Sequence, residues 1–401
     1  MTAPASRGLL RRNRQFARLL AGQVPADFAD WLSYVAMMTL IAFQWEAPTI
    51  AFAWFAVALG LPYLTIGLLA GALVDRLPVR AVLVGANLGR GLVYLSMTLA
   101  GDWVTLVALL ALGQSVDTFF TPAKQAALQR LVAEPDRLAA NSVSHAVNQS
   151  SKIVAPALGA VLLGWLAPGG VFVVNAAISG LAALILMTLP PLGQAPLEGP
   201  RPALRADIAA GLRLVRRSPP LRLALGLTAA SFFATFLYDT LLAALIRDLG
   251  HPAAALGWAM AAFGVGGVAG ALWLARRTGA PFRLMGLGGL VAGPVLILPG
   301  LAQVFGVPFP LAPMLLAFAL GGVASAALMI PPRVVIQNET APESIARVTA
   351  LGEAANTAAL VTAPFLGAAI AAATSTGIVF VLGGSLTLAI AAVALTRARR
   401  A

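Results

Sequence analysis

Cysteine is absent from this 401-residue chain, and histidine occurs only at His145 and His251. The first absence excludes disulfide scaffolds, thiolate metal sites and cysteine chemistry. The second leaves no histidine-rich metal centre. Charge is also scarce: 10% of residues are Asp, Glu, Lys or Arg, against roughly a quarter in soluble domains. There is no H-E-x-x-H, no Walker loop and no Gly-x-Ser-x-Gly. Gly264-Val-Gly266-Gly-Val-Ala269 imitates a dinucleotide fingerprint, but it lies inside an apolar run with no acidic residue at the expected spacing. These gaps argue against an enzyme, a metal, a cofactor and an ATP-driven pump.

What the chain does have is apolar length. Hydrophobic residues make up 59% of it, and the mean hydropathy is +0.87. Apolar runs of about 20 residues suffice to cross a bilayer, and they recur from end to end. The pattern predicts an all-α membrane protein with twelve spans, over 16–44, 49–73, 80–100, 103–122, 138–166, 170–190, 221–246, 254–275, 283–303, 310–331, 345–373 and 376–396. The longest exceed the bilayer thickness and imply tilt or helix beyond the lipid. Five arginines lie before or at the start of the first run, which is too long for a signal peptide.

The net charge of +12 is placed for topology rather than for nucleic acid. With the N-terminus in the cytoplasm, 24 of the 27 Lys and Arg fall on inside segments. That asymmetry orients both termini inside, in a cytoplasmic (inner) membrane. The basic residues also meet the anionic inner leaflet, so membrane lipids are expected partners.

A polar, proline-rich segment at 191–220 divides the chain into an N-terminal six-helix bundle (1–190) and a C-terminal one (221–401). Its arginine-rich part, Leu204 to Arg217, reads as an interfacial amphipathic helix. The halves repeat. Gly67-Leu-Leu-Ala-Gly71-Ala-Leu recurs as Gly266-Gly-Val-Ala-Gly270-Ala-Leu, and Ala155-Pro156-Ala-Leu-Gly159-Ala recurs as Ala363-Pro364-Phe-Leu-Gly367-Ala. Two parallel six-span repeats are a transporter architecture with substrate bound between halves near the midplane. The Gly-x-x-x-Gly pairs predict close helix approach.

Between the second and third spans, Gly71-Ala-Leu-Val-Asp75-Arg76-Leu-Pro-Val-Arg80 resembles the G-x-x-x-D-R-x-G-R-R/K signature of the major facilitator superfamily. Pro78 replaces the usual glycine and Val79 one usual base. The resemblance makes Gly71, Asp75, Arg76 and Arg80 gating residues that latch one state. Leu274 stands at the repeat position of Asp75, so such a latch is asymmetric. Phe119-Phe120-Thr121-Pro122-Ala123-Lys124-Gln125, with Ala29-Asp30-Trp31-Leu32 in span one, resembles the enterobactin-exporter and macrolide-efflux branch. Lysophospholipid transporters share the Pro-Ala-Lys connection.

Ionisable groups inside spans are functional candidates by default. Here they are Asp27, Asp30, Arg90, Asp117, Lys152, Asp239 and Glu353. Asp27 and Asp30 are three apart and share a helix face near mid-bilayer. Two carboxylates so close, and buried, favour holding a proton. Asp27, Asp30 and Glu353 are therefore the proton-coupling candidates. The bland reading is a permanent bridge to Arg90 or Lys152, and Arg90 is taken as a structural ion-pair residue. In the superfamily, spans one, four, seven and ten line the cavity. The resemblance places Asp30, Asp117 and Asp239 on its wall; the aromatics clustered in spans one and seven add Trp31, Tyr34 and Phe236 as cavity candidates, with Lys152 and Asn356 from the flanking spans. Many drug–proton antiporters carry an arginine in span four; residues 104–120 have none, which favours a carboxylate route through span one.

The expectation is a monomeric secondary active transporter whose substrate is a small molecule. It would export hydrophobic or amphipathic compounds, a drug or a siderophore, against protons by alternating access. The alternative is a lysophospholipid or lipid transporter, or a flippase.

Overall fold

The computed structural model describes residues 3–74, 76–193, 212–274, 276, 280–340 and 344–398. Among them every regular element is a helix. A short helix, Ala3–Arg12, precedes twelve helical stretches. In the first half these are α1 (Arg14–Gln44), α2 (Thr49–Thr65 continued by Gly67–Val74), α3 (Val79–Met97), α4 (Trp103–Leu131), α5 (Arg137–Leu163) and α6 (Pro168–Met187). In the second they are α7 (Pro219–Asp248), α8 (Ala254–Leu274), α9 (Pro281–Val304), α10 (Leu311–Asn338), α11 (Ile345–Ala373) and α12 (Thr376–Ala398). The stretches follow the spans expected from hydropathy, except that α4 and α10 run on to Leu131 and Asn338, past the expected ends at 122 and 331.

Nine of them, among the described residues, are long and apolar enough to cross a membrane by themselves. The other three have visible reasons. The apolar part of α2, Thr49–Thr65, is shorter. α3 carries Asn87 and Arg90, and α5 begins with a polar half through Ser151. Lipid-buried backbone must satisfy its own hydrogen bonds, which is why the chain answers with helices throughout. Pro156 and Pro364 lie inside unbroken α5 and α11.

The chain divides into two compact units. One comprises Met1–Ala47 and Ala58–Glu198, the other Pro48–Val57 and Gly199–Ala401. The start of α2 thus groups with the second unit. Of the expected amphipathic helix, Leu204 to Arg217, residues 204–211 lie outside the described residues, as do 194–203 before it, and 212–217 are helical.

In the first unit α1 packs against α5 and α6, and α3 against α6. A core of Phe16, Leu19, Ala26, Leu83, Phe120, Leu128 and Leu186 fills its arginine-rich end. Three arginines bind the exit of α6. Arg18 donates to the Thr188 carbonyl (3.2 Å), Arg80 to the Leu189 carbonyl (2.9 Å) and Arg130 to that of Gly193. Cations suit the unsatisfied carbonyls at a helix C-terminus.

Glycine decides where backbones meet. A Cβ on Gly159 of α5 would strike the carbonyl of Leu32 in α1, and one on Gly367 of α11 would strike that of Leu237 in α7. The repeated Ala-Pro-x-x-Gly thus does the same packing in each unit. The other repeat behaves differently. Gly266 and Gly270 of α8 lie against the carbonyls of Ala319 and Val323 in α10, whereas a Cβ on Gly67 would meet nothing within 4 Å. The close approach expected at Gly67 is therefore not seen among the described residues. Asp75 lies outside the described residues, and Gly71 is placed only as a member of the helix Gly67–Val74.

In the second unit, α9 and α12 approach through glycines on both helices, Gly300 against the Gly377 carbonyl and Gly384 against that of Gly293. The Trp54 ring meets Phe365 edge-on at 5.3 Å, and Thr49 donates to the Ala368 carbonyl (3.0 Å).

Candidate functional site

The first unit buries five charges in one network. Its geometry begins with a break in α4. Pro122 has no N–H to give the Thr118 carbonyl, and its ring crowds that carbonyl. The helix accordingly stops at Asp117, turns through Thr118 and Phe119, and restarts at Phe120. Asp117 and Phe120 are thereby both delivered to the interior, Asp117 at 4% exposure and Phe120 at 2%.

Arg90 of α3 lies at the centre. Its Nη1 donates to Asp30 of α1 and, at 2.6 Å, to Asp117. Its Nη2 donates to Asn87 Oδ1 (2.7 Å) and to the Ala26 carbonyl (3.3 Å). Asp117 also accepts the phenol proton of Tyr63, from the later part of α2. Four helices of one unit therefore converge on a single guanidinium.

A second pair lies beside it. Lys124 Nζ is 3.6 Å from Asp27 Oδ1. Gln23, one turn before Asp27, donates to Asp27 Oδ2 (2.7 Å) and to the Ser144 carbonyl of α5 (2.8 Å); Ser144 Oγ donates back to Gln23 Oε1 (2.8 Å). Asp27 is thus sealed, while Asp30, 21% exposed at its side chain, is the most accessible of the three carboxylates. Counted as ionised, three carboxylates face two cations, and one negative charge is left over. A low-dielectric interior penalises that residue heavily, and one bound proton cancels it.

Asp27 and Asp30 share a helix, but each has its own cation, Lys124 and Arg90. Lys124, read from sequence as an inside topology charge, is 6% exposed and belongs to the network. Lys152 is exposed on α5. Trp31 and Tyr34 meet with their rings tilted by 35° and 6.2 Å between centroids. In the second unit Phe236 stacks on Phe232 at 5.7 Å. Asp239 opens a short turn after the first part of α7, Glu353 is exposed on α11, and Asn356 Oδ1 is buried without a hydrogen-bond partner. Arg76 is exposed in the turn after α2. Gln23, Tyr63, Asn87, Phe120 and Lys124 were not singled out as site residues from sequence. The i, i+4 pair Gln23–Asp27, the i, i+3 pair Asn87–Arg90 and the Phe120–Lys124 spacing could have flagged four of them. Nothing local flags Tyr63, whose partner is 54 residues away.

Residues 19–312 match the Major Facilitator Superfamily. The chain belongs to that superfamily. It is similar to an uncharacterized MFS-type transporter, YfiS, of Bacillus subtilis (strain 168), at 28% identity over 396 residues, covering 96% of this chain and 94% of the other. It is also similar to the multidrug efflux pump Tap of Mycolicibacterium fortuitum, at 30% identity over 259 residues, 59% of this chain and 62% of that one. Among solved structures, the bacterial homologue of the human lysosomal transporter Spinster, in an inward-facing unoccupied conformation, superposes with a TM-score of 0.67 at 16% identity, covering 99% and 96% of the two chains. The nucleoside transporter NupG does so at 0.71 and 13% identity, covering 95% and 98%. These structures share the fold. This superfamily member is a multi-pass membrane transporter and not an enzyme.

Proposed function

We propose that this transporter exports hydrophobic or amphipathic small molecules, drug-like or siderophore-like, in exchange for protons, and that Asp30 carries the proton. The observation that carries the reading is the buried network of the first unit, with three carboxylates facing two cations and only Asp30 open enough to exchange protons with water. Likeness to the pump Tap and the motifs of the macrolide-efflux and enterobactin-exporter branch support efflux. Protonating Asp30 weakens its bond to Arg90, which then faces Asp117 alone. That change of partner is the event through which proton binding acts on α1, α3 and α4. Asp27 serves as a structural partner of Lys124. Both termini face the cytoplasm, and Trp31 and Tyr34 of the first unit contribute to substrate binding. Arg76 guards the loop after α2, while Arg80 holds the end of α6.

The test is reconstitution of the monomer in vesicles containing a pH-sensitive dye under an imposed proton gradient. Cationic dyes, macrolides, catechol siderophores and lysophospholipids are added in turn. Proton flux elicited by one class, lost in Asp30→Asn and retained in Asp27→Asn, is the expected result. Substrate movement without proton flux would refute the role of Asp30. Movement of lysophospholipid alone would make the protein a lipid transporter.

A further inference from the structure

Phe120 restarts α4 after its break, and both buried cations rest on its ring. Arg90 Cζ and Lys124 Nζ each lie 5.4 Å from the ring centroid. Arg90 makes its hydrogen bonds through its terminal nitrogens, and its buried Nε has no partner. Two like charges in a dry interior repel strongly, and the negative face of an aromatic ring offsets that repulsion for each.

We infer that Phe120 is a positioning residue for the proton site: its ring keeps Arg90 on Asp30 and Asp117, and Lys124 on Asp27. The inference rests on the reading of Asp30 as the proton carrier. The ionisable groups facing Arg90 and Asp30 are Asp27 from α1, Tyr63 from α2, Tyr94 from α3, and Asp117 and Lys124 from α4. α5 and α6 bring the polar Ser144 and Asn175 to α1. With leucine at position 120 the space remains filled, but the quadrupole is gone. Arg90 is then held less firmly on Asp30, and the site keeps its proton to higher pH.

Proton release is measured on full-length protein in detergent, by titration against a pH-sensitive dye without substrate. Relative to wild type, Phe120→Leu is expected to shift the release midpoint by about one pH unit to the alkaline side. Phe120→Tyr, which keeps the ring face, restores it. Phe16→Leu is the packing control, since Phe16 is equally buried in the same apolar cluster; its midpoint stays with wild type. An unshifted Phe120→Leu, or an equal shift in Phe16→Leu, overturns the role of Phe120. A wild type whose titration matches that of Asp30→Asn overturns instead the proton reading on which the inference rests.

Discussion

Replacing Arg90 by methionine tests the network directly. The guanidinium is 2% exposed and holds two carboxylates from two helices. Removing one partner of a buried ion pair costs about 3–5 kcal/mol, because the other charge stays buried and unpaired. Arg90 also supplies donors to Asn87 Oδ1 and the Ala26 carbonyl. Losing each adds roughly 1 kcal/mol. Arg90→Met should therefore unfold in detergent with a loss of about 5–7 kcal/mol, read from tryptophan fluorescence on heating or denaturant titration. The triple variant Arg90→Met, Asp30→Asn, Asp117→Asn removes the stranded charges along with the cation. Buried ion sets replaced as a whole by neutral groups are often no less stable, so the triple should recover most of the loss. If Arg90→Met is as stable as wild type, or if the triple is no more stable than the single variant, the charges are not buried and paired as described.

Glycine packing yields a paired prediction. Gly159→Ala and Gly367→Ala each drive a methyl into a facing backbone carbonyl, and overpacking of this kind costs about 1–3 kcal/mol. Gly67→Ala meets open space and should leave thermal stability unchanged or slightly raised through helix propensity. The α4 N-cap gives a pH dependence. Asp102 accepts the Thr105 backbone N–H (2.8 Å) and hydroxyl (3.0 Å), and these bonds hold its carboxyl below the ordinary carboxylate range. A lowered folded value means the contribution is present above the unfolded value and is lost as pH falls through the folded one. Asp102→Ala should therefore lower the melting temperature at neutral pH, with the difference from wild type closing in acid.

The spans, the repeat and the family signature were legible because each is a local property of the chain. Hydropathy over about 20 residues decides whether a segment leaves water, and once in lipid it has little choice but to be a helix. The list of buried ionisable residues was legible for the same reason. Their partners were not. Asp27 and Asp30, three residues apart on one helix, had been expected to act on one another, yet the fold gives Asp27 to Lys124 and Asp30 to Arg90. That choice depends on the break that Pro122 imposes on α4, on Gly159 letting α5 meet α1, and on α2 bringing Tyr63 to Asp117. The Gly67 and Gly266 repeats make the same point. Among the described residues, two nearly identical stretches differ in packing: Gly266 has a neighbouring backbone to receive it and Gly67 does not. Sequence by itself determined that carboxylates and an arginine enter the membrane. Only the tertiary structure decided which charges face one another, because ion pairing is fixed over a few ångströms between residues that the sequence separates by dozens of positions.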